Sequence, residues 1–116
     1  MNKKDLTAII LAGGKGTRLK KLTKNIPKPL LKINDKKFLD YLLFDIARFG
    51  FKKIIIIAGY KGFKFKSYKG KKILNSQIEL FIEKKFNGTL GAIDKVKNKI
   101  KSDFFIFNGD TIFNFN

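Results

Sequence analysis

From Leu11 to Leu19 the chain reads LAGGKGTRL, with three glycines in four positions, Gly13, Gly14 and Gly16, and Arg18 two residues on. Glycine loses more conformational freedom on folding than any other residue, so the cluster needs a local reason, and the candidate is backbone that must touch a ligand. Bare main-chain N–H groups form a concave anion site, and a guanidinium grips a phosphate through two donors at once. Near the other end, Asn108, Gly109 and Asp110 follow the apolar run FFIF. A carboxylate opposite a polyphosphate loop, in a chain with no His and no Cys, is the expected anchor for magnesium. The same composition leaves no thiolate zinc site, no disulfide and no thiol nucleophile.

Spacing separates the phosphate loops that compete for this stretch. A P-loop needs Gly, four residues, then Gly-Lys-Ser/Thr, and the chain has no such run. The dinucleotide fingerprint would begin at Gly14 and Gly16 but meets Leu19 where its third glycine should stand. No acidic ribose partner closes the later run IIIIAGY either. What remains is a glycine loop at the end of a strand, with a tight turn beside an incidental arginine as the bland alternative. Asp110 taken alone reads as a turn residue; paired with the glycine loop it reads as a ligand.

The elements that would position these residues alternate. Thr7 to Ala12 is a short continuous apolar run ended by glycines, the pattern of a strand buried on both faces. Pro27 and Pro29 predict extended backbone at Ile26 and Lys28, because the residue before a proline is pushed out of the helical region. With Asn34 or Asp35 as N-cap, the apolar residues Phe38, Leu39, Leu42, Leu43, Ile46 and Phe49 recur at helical spacing up to a stop at Gly50. Ile54 to Ala58 predicts the second strand, Gln77 to Ile82 a third and Asp103 to Asn108 a fourth. Leu90 to Ile100 predicts a second crossover helix with Ile93, Val96 and Ile100 inward. The pattern is an α/β fold, Rossmann-like, with a mostly parallel sheet in strand order 3-2-1-4 and helices on both faces. Ligands in such sheets sit outside the carboxyl ends of the strands, so both loops open on one crevice.

The chain has 116 residues, one domain's worth, and 26 basic against 9 acidic residues leave a formal charge of +17. That charge favours phosphate-bearing partners. Only Arg18 and Arg48 are arginines, and lysines run the whole length, which reads as a compositional habit more than as a nucleic-acid surface. The densest basic run, Tyr60 to Lys72, interleaves aromatics with lysines as a base-stacking platform would, although a solvated loop or helix face accounts for it as well. Asp5 and Thr7 break any signal-peptide pattern at the N-terminus, and no run approaches the ~20 apolar residues of a membrane span, so a cytoplasmic setting without membrane contact is expected.

Taken in order, Leu11-Ala12-Gly13-Gly14-Lys15-Gly16-Thr17-Arg18-Leu19, Pro27-Lys28-Pro29-Leu30, Gly88-Thr89-Leu90-Gly91-Ala92-Ile93 and Asn108-Gly109-Asp110-Thr111 resemble the sugar-phosphate nucleotidyltransferases over nearly the whole chain. FNGDTIF looks most like the members that guanylylate heptose 1-phosphate, and mannose 1-phosphate guanylyltransferases and glucose 1-phosphate thymidylyl- or uridylyltransferases share much of the pattern. The resemblance implies transfer of a nucleoside monophosphate from an NTP, with GTP the expected one, to a sugar 1-phosphate. It implies nucleotide contacts from Leu11 through Arg18 and from Gly88 and Thr89, with Arg18 on the departing pyrophosphate, Lys28 at the reacting centre and magnesium on Asp110. Lys32 stands where the family often has proline, and Lys84-Lys85-Phe86 replace an acidic residue and proline before the Gly-Thr loop. Family domains continue well beyond Asp110, so the resemblance covers the N-terminal half of such a domain. The edge of strand 104–108 is then expected to pair with a second copy or a complementing chain. Two other function classes are a catalytically inactive nucleotide-binding or sugar-phosphate-binding module and, less favoured, a basic nucleic-acid-binding domain.

Overall fold

A computed structural model describes residues 6–12, 26–83, 91, 93–94, 96–97, 100 and 103–109. The isoleucine-rich runs form the centre of the sheet: β1 (Thr7–Ala12) lies parallel to β4 (Lys53–Ala58), with Ile9 opposite Ile55 and Ala12 opposite Ala58. Ile54 through Ala58 and Ala8 through Ile10 are all at most 1% exposed, as expected of strands covered on both faces. β6 (Ser76–Ile82) extends the sheet beyond β4, and β7 (Phe104–Asn108) lies on the other side of β1; both run parallel to their neighbours. With strands β1, β4, β6 and β7 counted one to four, the order is the expected 3-2-1-4. One addition is β5 (Lys72–Ile73), an antiparallel strand on β6 that ends the sheet on that side.

Helix α1 (Phe38–Ala47) covers one face. Leu39, Leu42, Leu43 and Ile46 are fully buried against Ala8, Ile10, Ile54, Ile56 and Ile78, and each such side chain contributes about 1.5–3 kcal/mol by leaving water. The helix does not start from Asn34 or Asp35. Those residues form the turn between two short antiparallel strands, β2 (Lys32–Ile33) and β3 (Lys36–Lys37), with Asn34 at φ 62°. Asparagine serves both as a cap and as a left-handed turn residue, and here the hairpin takes it. Lys37 is the N-cap instead, and its N–H donates to the Asp40 carboxylate at 3.2 Å. Gly50, at φ 94°, ends the turn after the helix as expected, whereas Phe49 lies past the last helical residue and is 40% exposed.

The opposite face is covered by the second crossover. Gly91, Ile93, Asp94 and Val96 are helical, Val96 is fully buried against Ile9, Ile55 and Ile57, and Ile100 is partly buried beside them. Ile93 is half-buried. Ser76, itself fully buried, donates to the carbonyl of Phe51 at 2.5 Å and so ties the start of β6 to the loop that follows α1. Phe51 in turn meets Phe105 and Phe107 of β7 edge to face, at 5.6 and 6.1 Å between ring centroids.

Candidate active site

In-register parallel pairing brings the carboxyl ends of the strands level: Ala12, Ala58 and Ile82 are neighbours across β1, β4 and β6, and Leu11 is opposite Asn108. The residues that leave this edge are those the sequence singles out. Beyond β1 the chain enters the glycine loop, and beyond β7 it reaches Gly109, whose N–H donates to the carbonyl of Leu11 at 2.9 Å. A Cβ built on Gly109 would lie 3.1 Å from that oxygen, 3.3 Å from the Ala12 Cβ and 3.3 Å from the Pro29 Cγ. Three segments distant in sequence therefore meet at one point with no side chain between them.

Pro29 belongs to a 3₁₀ turn, Lys28–Leu30, and this corrects the expectation of an extended strip. Pro27 is extended, with ψ 143°, but its carbonyl accepts the N–H of Leu30 at 2.9 Å and the carbonyl of Lys28 accepts that of Leu31 at 3.1 Å. Those two bonds outweigh the modest bias that a following proline puts on Lys28. The turn is buried at Pro29 and Leu30 and fixed to α1, because the N–H of Phe38 donates to the carbonyl of Leu31 at 2.8 Å. Lys28, half-buried, is thus carried on an anchored turn beside the Gly109 contact.

Glu83 is a residue that sequence reasoning passed over. It follows β6 directly, its N–H donates to the carbonyl of Ala58 at 2.7 Å, and it is 8% exposed. A carboxylate so deeply buried at the ligand end of a sheet needs compensation by polar partners. Two strand spacings separate β6 from β1, roughly 10 Å.

Most of the basic run faces solvent, with a few residues turned inward. Gly62–Tyr68 is a 3₁₀ segment in which Phe65 and Tyr68 are buried. The Tyr68 hydroxyl donates to Asp40 at 2.7 Å, and the ammonium groups of Lys37 and Lys71 lie 5.9 and 5.3 Å from its ring centroid. Burial, reinforced by the Asp40 carboxylate, holds the Tyr68 phenol neutral well above its ordinary range. Phe63 remains 59% exposed, so the run is a mostly solvated segment, two of whose aromatics, Phe65 and Tyr68, are spent on packing.

Of the expected site residues, Leu11, Ala12 and Lys28 lie at this corner. Gly13, Gly14, Lys15, Gly16, Thr17, Arg18, Gly88, Thr89 and Asp110 lie outside the described residues, as do Lys84, Lys85 and Phe86. Among the described residues no three His, Cys, Asp or Glu side chains cluster as a metal cage. Magnesium is commonly bound by one or two carboxylates together with substrate phosphates. Asp110, the residue after Gly109, fits that donor set.

Comparison with known proteins agrees with this fold. The nucleotidyl transferase family pattern matches residues 7–116. The chain is 42% identical over 108 residues to the D-glycero-alpha-D-manno-heptose 1-phosphate guanylyltransferase of Campylobacter jejuni, covering 93% of this chain and 49% of that protein. It is 40% identical over 107 residues to the mannose-1-phosphate guanylyltransferase of Mycobacterium tuberculosis, covering 90% of this chain and 30% of that protein. Among solved structures, HddC from Yersinia pseudotuberculosis complexed with GMP-PN superposes with a TM-score of 0.78 at 37% identity, over 91% of this chain and 48% of that one. The chain spans about half the length of the heptose 1-phosphate relative and of HddC.

Proposed function

Because the chain belongs to the nucleotidyl transferase family, we propose that it forms the nucleotide-binding half of a sugar-1-phosphate nucleotidyltransferase working on GTP in the cytoplasm. The observation that supports this reading is the packing of Gly109 against Leu11, Ala12 and Pro29, which brings together, at one edge of the sheet, the residue before the glycine sequence, the residue after Lys28 and the residue before Asp110.

At that edge the main-chain N–H groups of Gly13, Gly14 and Gly16 hold the triphosphate, and Arg18 pairs with the β- and γ-phosphates. A phosphate oxygen of the sugar 1-phosphate attacks the α-phosphorus. The new P–O bond forms as the bond to the β-phosphate oxygen breaks, releasing pyrophosphate and an NDP-sugar. Lys28 offsets the negative charge that builds around phosphorus. No protein nucleophile is required, so catalysis is positioning and electrostatic stabilisation. Magnesium on Asp110 would neutralise phosphate oxygens.

We assign a guanine preference to Glu83, because its backbone leaves β6 at the same edge of the sheet. A carboxylate offers only acceptors, guanine presents N1–H and N2–H₂ side by side as donors, and uracil or thymine presents one donor flanked by acceptors that a carboxylate repels. Glu83→Gln is expected to lower the preference for GTP over UTP by about ten- to a hundredfold, the worth of one hydrogen bond to a charged group. Competition between the two nucleotides, read from product ratios, measures it. The whole reading is tested by pyrophosphate release from GTP with a panel of sugar 1-phosphates. Release that needs both substrates supports it; nucleotide binding with no release from any pair favours an inactive binding module.

The same proposal includes a partner at the outer edge of β7. Phe104, Phe105 and Ile106 are 41, 43 and 44% exposed there, and among the described residues β7 pairs only with β1. A second copy or a complementing strand would cover them.

A further inference from the structure

We propose that the protein carries a second binding surface, for single-stranded nucleic acid, where the lysine-rich 3₁₀ segment Gly62–Tyr68 meets the β2–β3 hairpin. The surface uses no residue of the proposed reaction centre, so it stands or falls apart from the nucleotide reading. A 3₁₀ helix turns once every three residues, so side chains at i and i+3 line up. Gly62, Phe65 and Tyr68 make the buried row. Phe63 and Lys66, with Lys69 just past the end of the segment, make an exposed one. Successive members of that row are about 6 Å apart, three residues at ~2.0 Å rise each. A ring followed by ammonium groups at that stride suits a stretched strand, in which a base stacks while the phosphates beyond it are neutralised.

The fold adds a second set of charges to the row. The ammonium groups of Lys71 and Lys37 lie 5.3 and 5.9 Å from the Tyr68 ring centroid, so the hairpin is drawn to the end of the 3₁₀ segment. Within the hairpin Lys32 is directly opposite Lys37, an arrangement in which like charges repel and which a bound phosphate relieves. Residues 32–37 and 60–72 together hold nine of the 26 basic residues and one acid, Asp35. Among the described residues no ion pair engages Lys32, Lys36, Lys37, Lys66, Lys69 or Lys71. The nearby Asp40 carboxylate is committed to the Tyr68 hydroxyl and the Lys37 N–H. A lysine habit along the chain explains the composition, but the convergence of these two segments on Tyr68 is a property of the fold. The exposed Phe63 ring favours a strand that bears bases over an acidic peptide, whose carboxylates have nothing to stack.

The experiment follows the fluorescence anisotropy of a labelled oligouridylate of about 16 nucleotides as the full chain is added, across a potassium chloride series. Affinity is expected to fall linearly on a log–log plot with a slope of about −4, as some six phosphate contacts on a single strand require. Lys66→Gln/Lys69→Gln flattens that slope by about 1.4, two contacts at ~0.7 each. Phe63→Ala truncates a ring that is already 59% exposed and so leaves the core intact; it weakens binding about five- to a hundredfold with the slope unchanged. Lys52→Gln/Lys97→Gln removes the same charge from exposed positions outside the two segments and leaves the slope as it is in the parent. An equal flattening in that control, an unaltered affinity in Phe63→Ala, or a parent that binds no oligouridylate at low salt overturns the inference. So does polyglutamate that competes as well as unlabelled oligouridylate, because the partner is then an acidic peptide.

Discussion

Arg18 and Asp110 carry the largest share of the chemistry assigned to single residues. Arg18→Ala and Asp110→Ala are each expected to lower turnover about 10²–10³-fold, the effect of deleting one preorganised group that stabilises developing charge. Steady-state pyrophosphate release measures this, and full activity in either variant would remove the role given to that residue. Residues of this kind can be proposed from a sequence because the signal is local: glycines that abandon side chains, an arginine two positions on, an acid just past an apolar strand. Glu83 escaped for the opposite reason. An acid after a strand is ordinarily a surface residue, and only the fold, which puts Ile82 level with Ala12 and Ala58 and Glu83 one residue beyond, shows it buried at this edge of the sheet. Asn34 was misleading because one residue type serves two structures, and the choice between cap and hairpin turn depends on β2 and β3, whose two-residue lengths leave no periodicity to read.

Among the elements, the parallel core was readable because strands buried on both faces appear as unbroken aliphatic runs, and a helix stripe at Leu39, Leu42, Leu43 and Ile46 points to one face. The 3₁₀ segment Gly62–Tyr68 was not, since only four of the thirteen residues from Tyr60 to Lys72 are apolar or aromatic, against six lysines. Its anchor is the Tyr68 hydroxyl on Asp40, and this contact makes a pH-dependent contribution. Folding raises the phenol above its ordinary value of 10.0, so the stabilisation is fully present below pH ~10 and is lost as pH climbs further, because the unfolded chain then gives up a proton that the folded chain retains. Tyr68→Phe is expected to cost about 1 kcal/mol at neutral pH and to flatten the alkaline decline of the melting temperature. A decline equally steep in both proteins would place its origin elsewhere.

At the scale of the whole molecule, two facts pull against each other: a formal charge of +17 drives copies apart, while the outer side of β7 exposes Phe104, Phe105 and Ile106. Self-association through β7 should therefore strengthen as salt screens the charge, and Ile106→Lys should abolish it. Sedimentation velocity across salt and protein concentration reads this, and a parent chain that stays monomeric throughout would contradict a partner copy. Nucleic-acid binding predicts the reverse salt trend, with affinity falling linearly on a log–log plot.

We propose that the triphosphate lies where β1 and β7 end, beside Ala12 and Gly109. A crystal structure of the chain with a non-hydrolysable GTP analogue tests it most directly. Phosphate oxygens are expected on the amides of residues 13–16, with the guanine near Glu83; a nucleotide bound at the opposite end of the sheet, or on the lysine-rich segment from Tyr60 to Lys72, would overturn this placement.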